Sequence, residues 1–194
     1  HVGFLADIPA DNISKNLDEI LNGNYVEDIR FLLNGQVLRN DKCIYEDYAL
    51  NDIVIQKWNI AHLLELKTYI NGAFVHTHRS DGMIVSSPTG STAYALAGGG
   101  PVVQPELDAL LLVPICPHSL TNRPIVIDGD SSVEVVVTTR ESDNARLAID
   151  GEVKLELASN DRVKVSKKDK SIKLIHPPEH DQFHILRKKL NWST

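Results

Sequence analysis

Short runs rich in β-branched and aromatic residues, each closed by a turn signal, recur along most of this chain and leave it few folds to adopt. Residues 30–38 (RFLLNGQVL), 53–56, 63–70, 73–77 and 83–86 are of this kind, and a second set follows at 125–127, 133–138, 146–149, 153–157, 162–165 and 172–175. Asn71-Gly72 is the clearest turn, because both residues tolerate positive φ and suit a two-residue hairpin. Asp128-Gly129-Asp130 and Asp150-Gly151 read as further turns. Strands this short and this numerous predict a β-sandwich. At the amino end, residues 2–8 read as the end of a buried strand. Asp11-Asn12 then offers capping oxygens to a helix over 13–21, with Ile13, Leu17, Ile20 and Leu21 at helical spacing. Pro177-Pro178 breaks the sheet, and residues 181–190 carry Phe183, Leu186 and Leu190 along one helical face. The expected fold is mainly β with some α. A helix-and-strand remnant spans 1–24, a mostly β, sandwich-like domain 25–176, and a C-terminal helical segment 177–194.

Charge and composition narrow the function classes. A net charge of -6 on 194 residues argues against binding a phosphate backbone over a broad surface, so nucleic acid is not an expected partner. Cys43 and Cys116 sit in no CxxC pair or His cluster, so no disulfide framework or zinc site is read. The apolar run 109–116 (ALLLVPIC) is far short of the roughly 20 residues of a membrane span. With no signal-peptide pattern, a cytoplasmic protein without membrane partners is expected. The opening HVGFLADIPADN and a single methionine, Met83, suggest that residues precede His1.

The segment 81–97, DGMIVSSPTGSTAYALA, is the expected functional centre. From Ser87 to Pro101 four hydroxyl residues (Ser87, Thr89, Ser91 and Thr92), Tyr94 and four glycines follow an apolar strand. Small residues there let backbone N–H groups approach an anionic or polyhydroxyl ligand, though the same composition serves as a plain strand-to-helix turn. It is no P-loop, since the GxxxxGK[ST] lysine is missing, and Ser91 lacks the flanking glycines of a nucleophile elbow. Asn51-Asp52 stands at a strand entrance; alone it reads as an Asx-type turn, while its carboxylate could also accept vicinal ribose hydroxyls. Arg79 to Gly82 reads as a turn with a surface ion pair. Lys167 to Lys170 reads as a solvated turn, and Asp150-Gly151-Glu152 as a hairpin turn whose acids could face a polar ligand. His76 and His78 share one strand face but have no third ligand at readable spacing. They and His62, His118, His176, His180 and His184 are read as non-metal residues.

Taken together these blocks resemble the carboxyl-terminal two-thirds of the NAD kinase family, especially its bacterial members. GFLADI (3–8), ALNDIVI (49–55), IAHLLEL (60–66), RSDGMIVSSPTGSTAYALAGGGP (79–101), LVPICPHSL (112–120), RPIVI (123–127) and LIHP (174–177) match family blocks in order. The resemblance implies phosphoryl transfer from ATP, or from polyphosphate in some members, to the 2′-hydroxyl of the adenosine ribose of NAD, giving NADP, with Mg²⁺ or another divalent cation accompanying ATP. It implies that 1–24 is the remnant of an N-terminal α/β nucleotide domain, followed by an NAD-kinase-like β-sandwich at 25–176, with the last helix, in 177–194, returning to the first domain. Asn51, Asp52, His62, Arg79 and Asp81 match NAD contacts. So do Thr92, Ala93, Tyr94, Ala95, Leu96 and Ala97; Thr89 lies just upstream in the same loop, and Asp150 and Glu152 occupy a late turn that approaches NAD. A homodimer or homotetramer is implied, with Arg79, Asp81 and Cys116 reaching a neighbour's pocket. The chain departs from the family at His1-Val2, at Cys116 and at Glu152, and the last puts one ligand contact in question. The family's GGDGT motif, with its catalytic aspartate, lies upstream of His1, so no catalytic residue is named. The alternative is a non-catalytic dinucleotide-binding and oligomerisation module; a lipid kinase fits Asn51-Asp52 and PTGSTAY less well.

Overall fold

The structure is a computed structural model and describes residues 4–5, 8, 13–58, 62–138 and 145–192. Most of the strand expected over 2–8, and the Asp11-Asn12 cap, lie outside the described residues. Twelve described strands form two six-stranded sheets. They are β1 (Val26–Arg39), β2 (Lys42–Ala49), β3 (Asp52–Lys57), β4 (Leu64–Ile70), β5 (Ala73–Ser80), β6 (Gly82–Ser86), β7 (Ala109–Ile115), β8 (Ile125–Asp128), β9 (Val133–Thr138), β10 (Ala145–Ile149), β11 (Glu152–Leu157) and β12 (Arg162–His176). One sheet runs β2-β1-β12-β9-β4-β5 and the other β11-β10-β3-β6-β7-β8. Helix α1 covers Ile13–Leu21, a short α2 Tyr94–Ala97, and α3 Gln182–Leu190.

The chain divides into two compact units, one of residues 1–30 with 172–194 and one of 31–171. In the larger unit, alternating residues of both sheets form the core: Leu33 and Val37 of β1, Ile53 and Ile55 of β3, Leu66 of β4, Met83 and Val85 of β6, Leu147 of β10 and Val163 of β12 are all buried. This is the inward-facing period of two that a sandwich requires. The second sheet is buried on its other face too. Val54, Ile84, Leu111, Val113 and Ala148 pack there with Ala95 of α2 and Val103. Double burial explains why β6 and most of β7 are continuously apolar rather than alternating.

Three expectations change. The run 109–116, noted in the sequence only for its hydrophobicity, supplies β7, which is paired on both sides with β6 and β8. Residues 42–49, assigned to no element, form β2, whose pattern is exposed on most positions and so lacks an apolar signature. Lys167 to Lys170 is not a turn: β12 runs through it unbroken. The Lys167 ammonium meets Asp108 at 2.6 Å and Asp130 at 3.4 Å, so its charge is paired.

In the smaller unit the carboxylate of Asp181 caps α3 by accepting from the N–H groups of Phe183 and His184, at 2.9 and 3.1 Å. Asn191 closes it in the left-handed region at φ 51°. Leu186 is the buried residue of the expected apolar face, while Phe183 is about half exposed.

Candidate functional site

The site is built on the entrance of β3. Asp52 opens that strand, and the strand's period of two puts Val54 and Gln56 on the same face as Asp52. Beside them, β10 pairs with β3 so that Ala148 stands opposite Val54, and the β10–β11 turn, Asp150-Gly151, lies next to Asp52. Asp150 at φ 47° and Gly151 at φ 82° are both left-handed, as a two-residue hairpin of this type demands. Asn51, Asp52, Val54, Gln56, Ala93, Tyr94, Ala148, Asp150 and Gly151 together line a pocket of about 340 Å³. That is the size of a nucleoside-scale cleft rather than a surface dimple.

The turn 50–52 is held at its carbonyls as well as its amides. The Asp150 carboxylate accepts from Leu50 N–H (2.8 Å), Asn51 N–H (2.8 Å) and Asp52 N–H (3.1 Å), and the Asp150 N–H donates to the Asp52 carbonyl at 3.0 Å. From the other side the Ser87 hydroxyl donates to the Leu50 carbonyl at 2.5 Å, and the Ser87 N–H to the Asn51 carbonyl at 2.9 Å. The Ser86 hydroxyl donates to the same Asn51 carbonyl at 3.1 Å.

The glycine-rich segment folds as a single 3₁₀ turn, Thr89–Thr92, followed by α2. Gly90 is required by close approach: a Cβ there would stand 2.1 Å from the Asn51 carbonyl oxygen. Two of the hydroxyls that suggested a ligand-facing loop turn inward instead. The Ser91 hydroxyl bridges the Val103 N–H and carbonyl at 3.1 and 3.3 Å, and Ser87 ties the Asn51 turn. Thr89 is buried, and its carbonyl accepts from the Thr92 hydroxyl at 3.3 Å. Ala95 is fully buried against the sheet, so Ala93 and Tyr94 are the members of the run that reach the pocket. Leu96 is half-buried and Ala97 exposed.

Asp52 is almost completely buried. Burial, and then the neighbouring Asp150 charge, push its carboxyl up to about 6, against the pull of a hydrogen bond from the Tyr94 N–H. The group therefore changes charge near neutral pH. Glu152, by contrast, is not part of the pocket lining: its side chain is exposed and paired with Lys154 at 2.7 Å, which lowers its carboxyl.

The remaining candidates lie elsewhere in the fold. His62 is exposed just before β4. Arg79 and Asp81 flank the β5–β6 junction and are not paired with one another; Arg79 meets Glu65 at 3.2 Å and Asp81 meets Lys57 at 2.6 Å. The end of β7 joins them through Asp81 N–H to the Ile115 carbonyl and His118 N–H to the Arg79 carbonyl, both 2.9 Å, which brings exposed Cys116 into the same group. His76 and His78 do share a face of β5, with ring centroids 4.8 Å apart. His78 is buried with neither ring nitrogen hydrogen-bonded among the described residues, and burial lowers it to about 4, so it is neutral at ordinary pH.

Sequence reasoning missed Val54, Gln56, Ala148 and Gly151 as pocket residues. The alternation after Asp52 was the available signal for the first two. It also missed a grouping in the smaller unit, where Asp28, His176 and His180 bring ligand atoms within 4.8 Å of one another. There the Asp28 carboxylate is engaged by the Arg30 guanidinium on both oxygens and by His176 at 3.3 Å, so the grouping is an ion-paired cluster.

Comparison with known proteins identifies the family. The family profile of the ATP-NAD kinase C-terminal domain matches residues 50–177, which include every pocket residue. The chain belongs to the ATP-NAD kinase family. Within that family it is 41% identical to the NAD kinase of Pseudoalteromonas translucida over 100% of this chain and 66% of that one, and 44% identical to the NAD kinase of Halorhodospira halophila over 98% and 62%. It thus spans a little under two-thirds of the length of these relatives. The crystal structure of yeast NADH kinase complexed with NADH superposes with a TM-score of 0.91 at 27% identity, covering 99% of this chain and 58% of that one. An NAD kinase from Archaeoglobus fulgidus in complex with ATP shares the fold at a TM-score of 0.77 and 24% identity, covering 100% and 71%. No described helix is long and apolar enough to cross a membrane.

Proposed function

We propose that the protein acts as an NAD kinase, moving the terminal phosphoryl group of ATP to the 2′-hydroxyl of the adenosine ribose of NAD to form NADP. The observation that carries this is the pocket in which Asn51, Asp52 and Tyr94 converge. A buried carboxylate and an amide in the lining of one small cleft suit the hydroxyls of a ribose, and Tyr94, Val54 and Ala148 in the same lining suit a flat base. Orienting the acceptor hydroxyl in line with the donor phosphate is the larger part of catalysis in phosphoryl transfer. In this reading Asn51, Asp52, Ala93 and Tyr94 hold NAD. Thr89, Thr92, Ala95, Leu96 and Ala97 shape the loop, and His62, Arg79, Asp81, Glu152 and Cys116 contact NAD or complete a neighbouring subunit's pocket in a homodimer or homotetramer.

The divalent cation fits as a companion of the ATP phosphates rather than as a resident of this pocket. Asp150 already accepts three N–H groups and Asp52 one, whereas magnesium bound through substrate phosphates needs few protein oxygens. The same engagement of both carboxylates favours the second reading, a module that binds the dinucleotide without transferring phosphate. Incubation of the purified full-length protein with NAD, ATP and Mg²⁺ separates the two. NADP formation is expected; NAD binding by calorimetry without NADP supports the binding module, and neither signal would defeat both.

A further inference from the structure

We propose that Asp150 is a positioning residue, whose carboxylate fills a nest of three consecutive backbone N–H groups and so presents Asn51 and Asp52 to the ligand. The role rests on the acceptor-site reading above and goes beyond a place on the pocket wall. Three successive N–H groups converging on one anion form a concavity of the kind that otherwise captures phosphate. Here the anion comes from a turn about a hundred residues further along the chain. Its Oδ1 takes two of the bonds and its Oδ2 the third. With the carbonyls of Leu50 and Asn51 held by Ser86 and Ser87, both polar edges of the turn are fixed, and the Asn51 and Asp52 side chains are the parts directed at the pocket. Charge-assisted bonds are about twice as strong as neutral ones, so the negative charge itself contributes to the hold.

A plain structural role competes with this one. Asp150 is also the first residue of a left-handed two-residue turn, a position that asparagine serves as well as aspartate and glutamate serves poorly. The two roles therefore rank substitutions in opposite orders. Asp150→Asn keeps the turn but removes the charge and sets an amide N–H₂ against a backbone donor. Asp150→Glu keeps the carboxylate on a longer stem at some strain to the turn. The positioning role expects NAD dissociation constants, measured by calorimetry on variants shown by circular dichroism to be folded, in the order wild type, then Glu, then Asn, with Asn weaker by roughly tenfold or more. It also expects the amides of Leu50, Asn51 and Asp52 to exchange with solvent roughly tenfold faster in Asp150→Asn than in the wild type. Asn binding NAD as tightly as wild type, with those amides equally protected, overturns the proposal, as does Glu being the weaker of the two. Wild-type protein that binds no NAD would remove the acceptor reading instead, and the exchange rates would still decide whether Asp150 holds the turn.

Discussion

At the scale of single residues, Asp52 is where folding and ligand chemistry meet. Its carboxyl stands at about 6 in the folded protein against an ordinary 3.8. A raised value favours the folded state most below pH 3.8, and that contribution is lost as pH rises through 6. Only above that pH is the group an ionised acceptor for two hydroxyls. NAD affinity is therefore expected to rise between pH 5 and 7 with a midpoint near 6, and Asp52→Asn should flatten that dependence while melting at a higher temperature than wild type at pH 7. An affinity profile that keeps its midpoint in the Asn variant would show that another group titrates. Asn51 and Asp52 alone read as an Asx-type turn, and only the resemblance of the surrounding blocks singled them out. That Asp150 would hold them was not legible in the sequence, because a hydrogen-bonded contact across a hundred residues leaves no periodic or compositional trace.

At the scale of elements, hydrophobic period and turn chemistry revealed most strands, and failed where tertiary burial overrode pattern. The second sheet is covered on both faces, so β7 carries no alternation, and β2 is too exposed to carry an apolar one. Helix α2 shows how an element of only four residues is fixed. Its propensity contributes little at that length, and it is held by Ala95 packing against Ile84 and Val113 on the sheet. Enlarging that contact should move Tyr94, which α2 carries. Ala95→Leu is expected to destabilise the protein by about 1–3 kcal/mol in urea unfolding and to weaken NAD binding beyond that loss of stability. Unfolding cost without any change in affinity would uncouple the helix from the site.

At the scale of the whole molecule, two groups of candidate residues stand apart, one lining the pocket and one at the β5–β6 junction with Cys116. If the second group serves a neighbouring subunit, the two groups can be supplied by different chains. If Asp52→Ala and Arg79→Ala are each inactive alone, unfolding and refolding them together should restore about a quarter of the wild-type activity in a two-fold dimer, since half the dimers are mixed and one of their two sites is whole. No recovery would show that no site takes Asp52 from one chain and Arg79 from the other. The Asp150 turn has one last consequence, for the order of events in folding. Because the turn carrying Asn51 and Asp52 is locked by a segment 98 to 100 residues away, the proposed binding surface forms only after a long loop has closed. A peptide of residues 81–97 cut from the chain would present the glycine-rich loop without its floor or its clamp. Affinity for NAD is thus expected to act as a chronometer, switching on only when segments about a hundred residues apart have found one another.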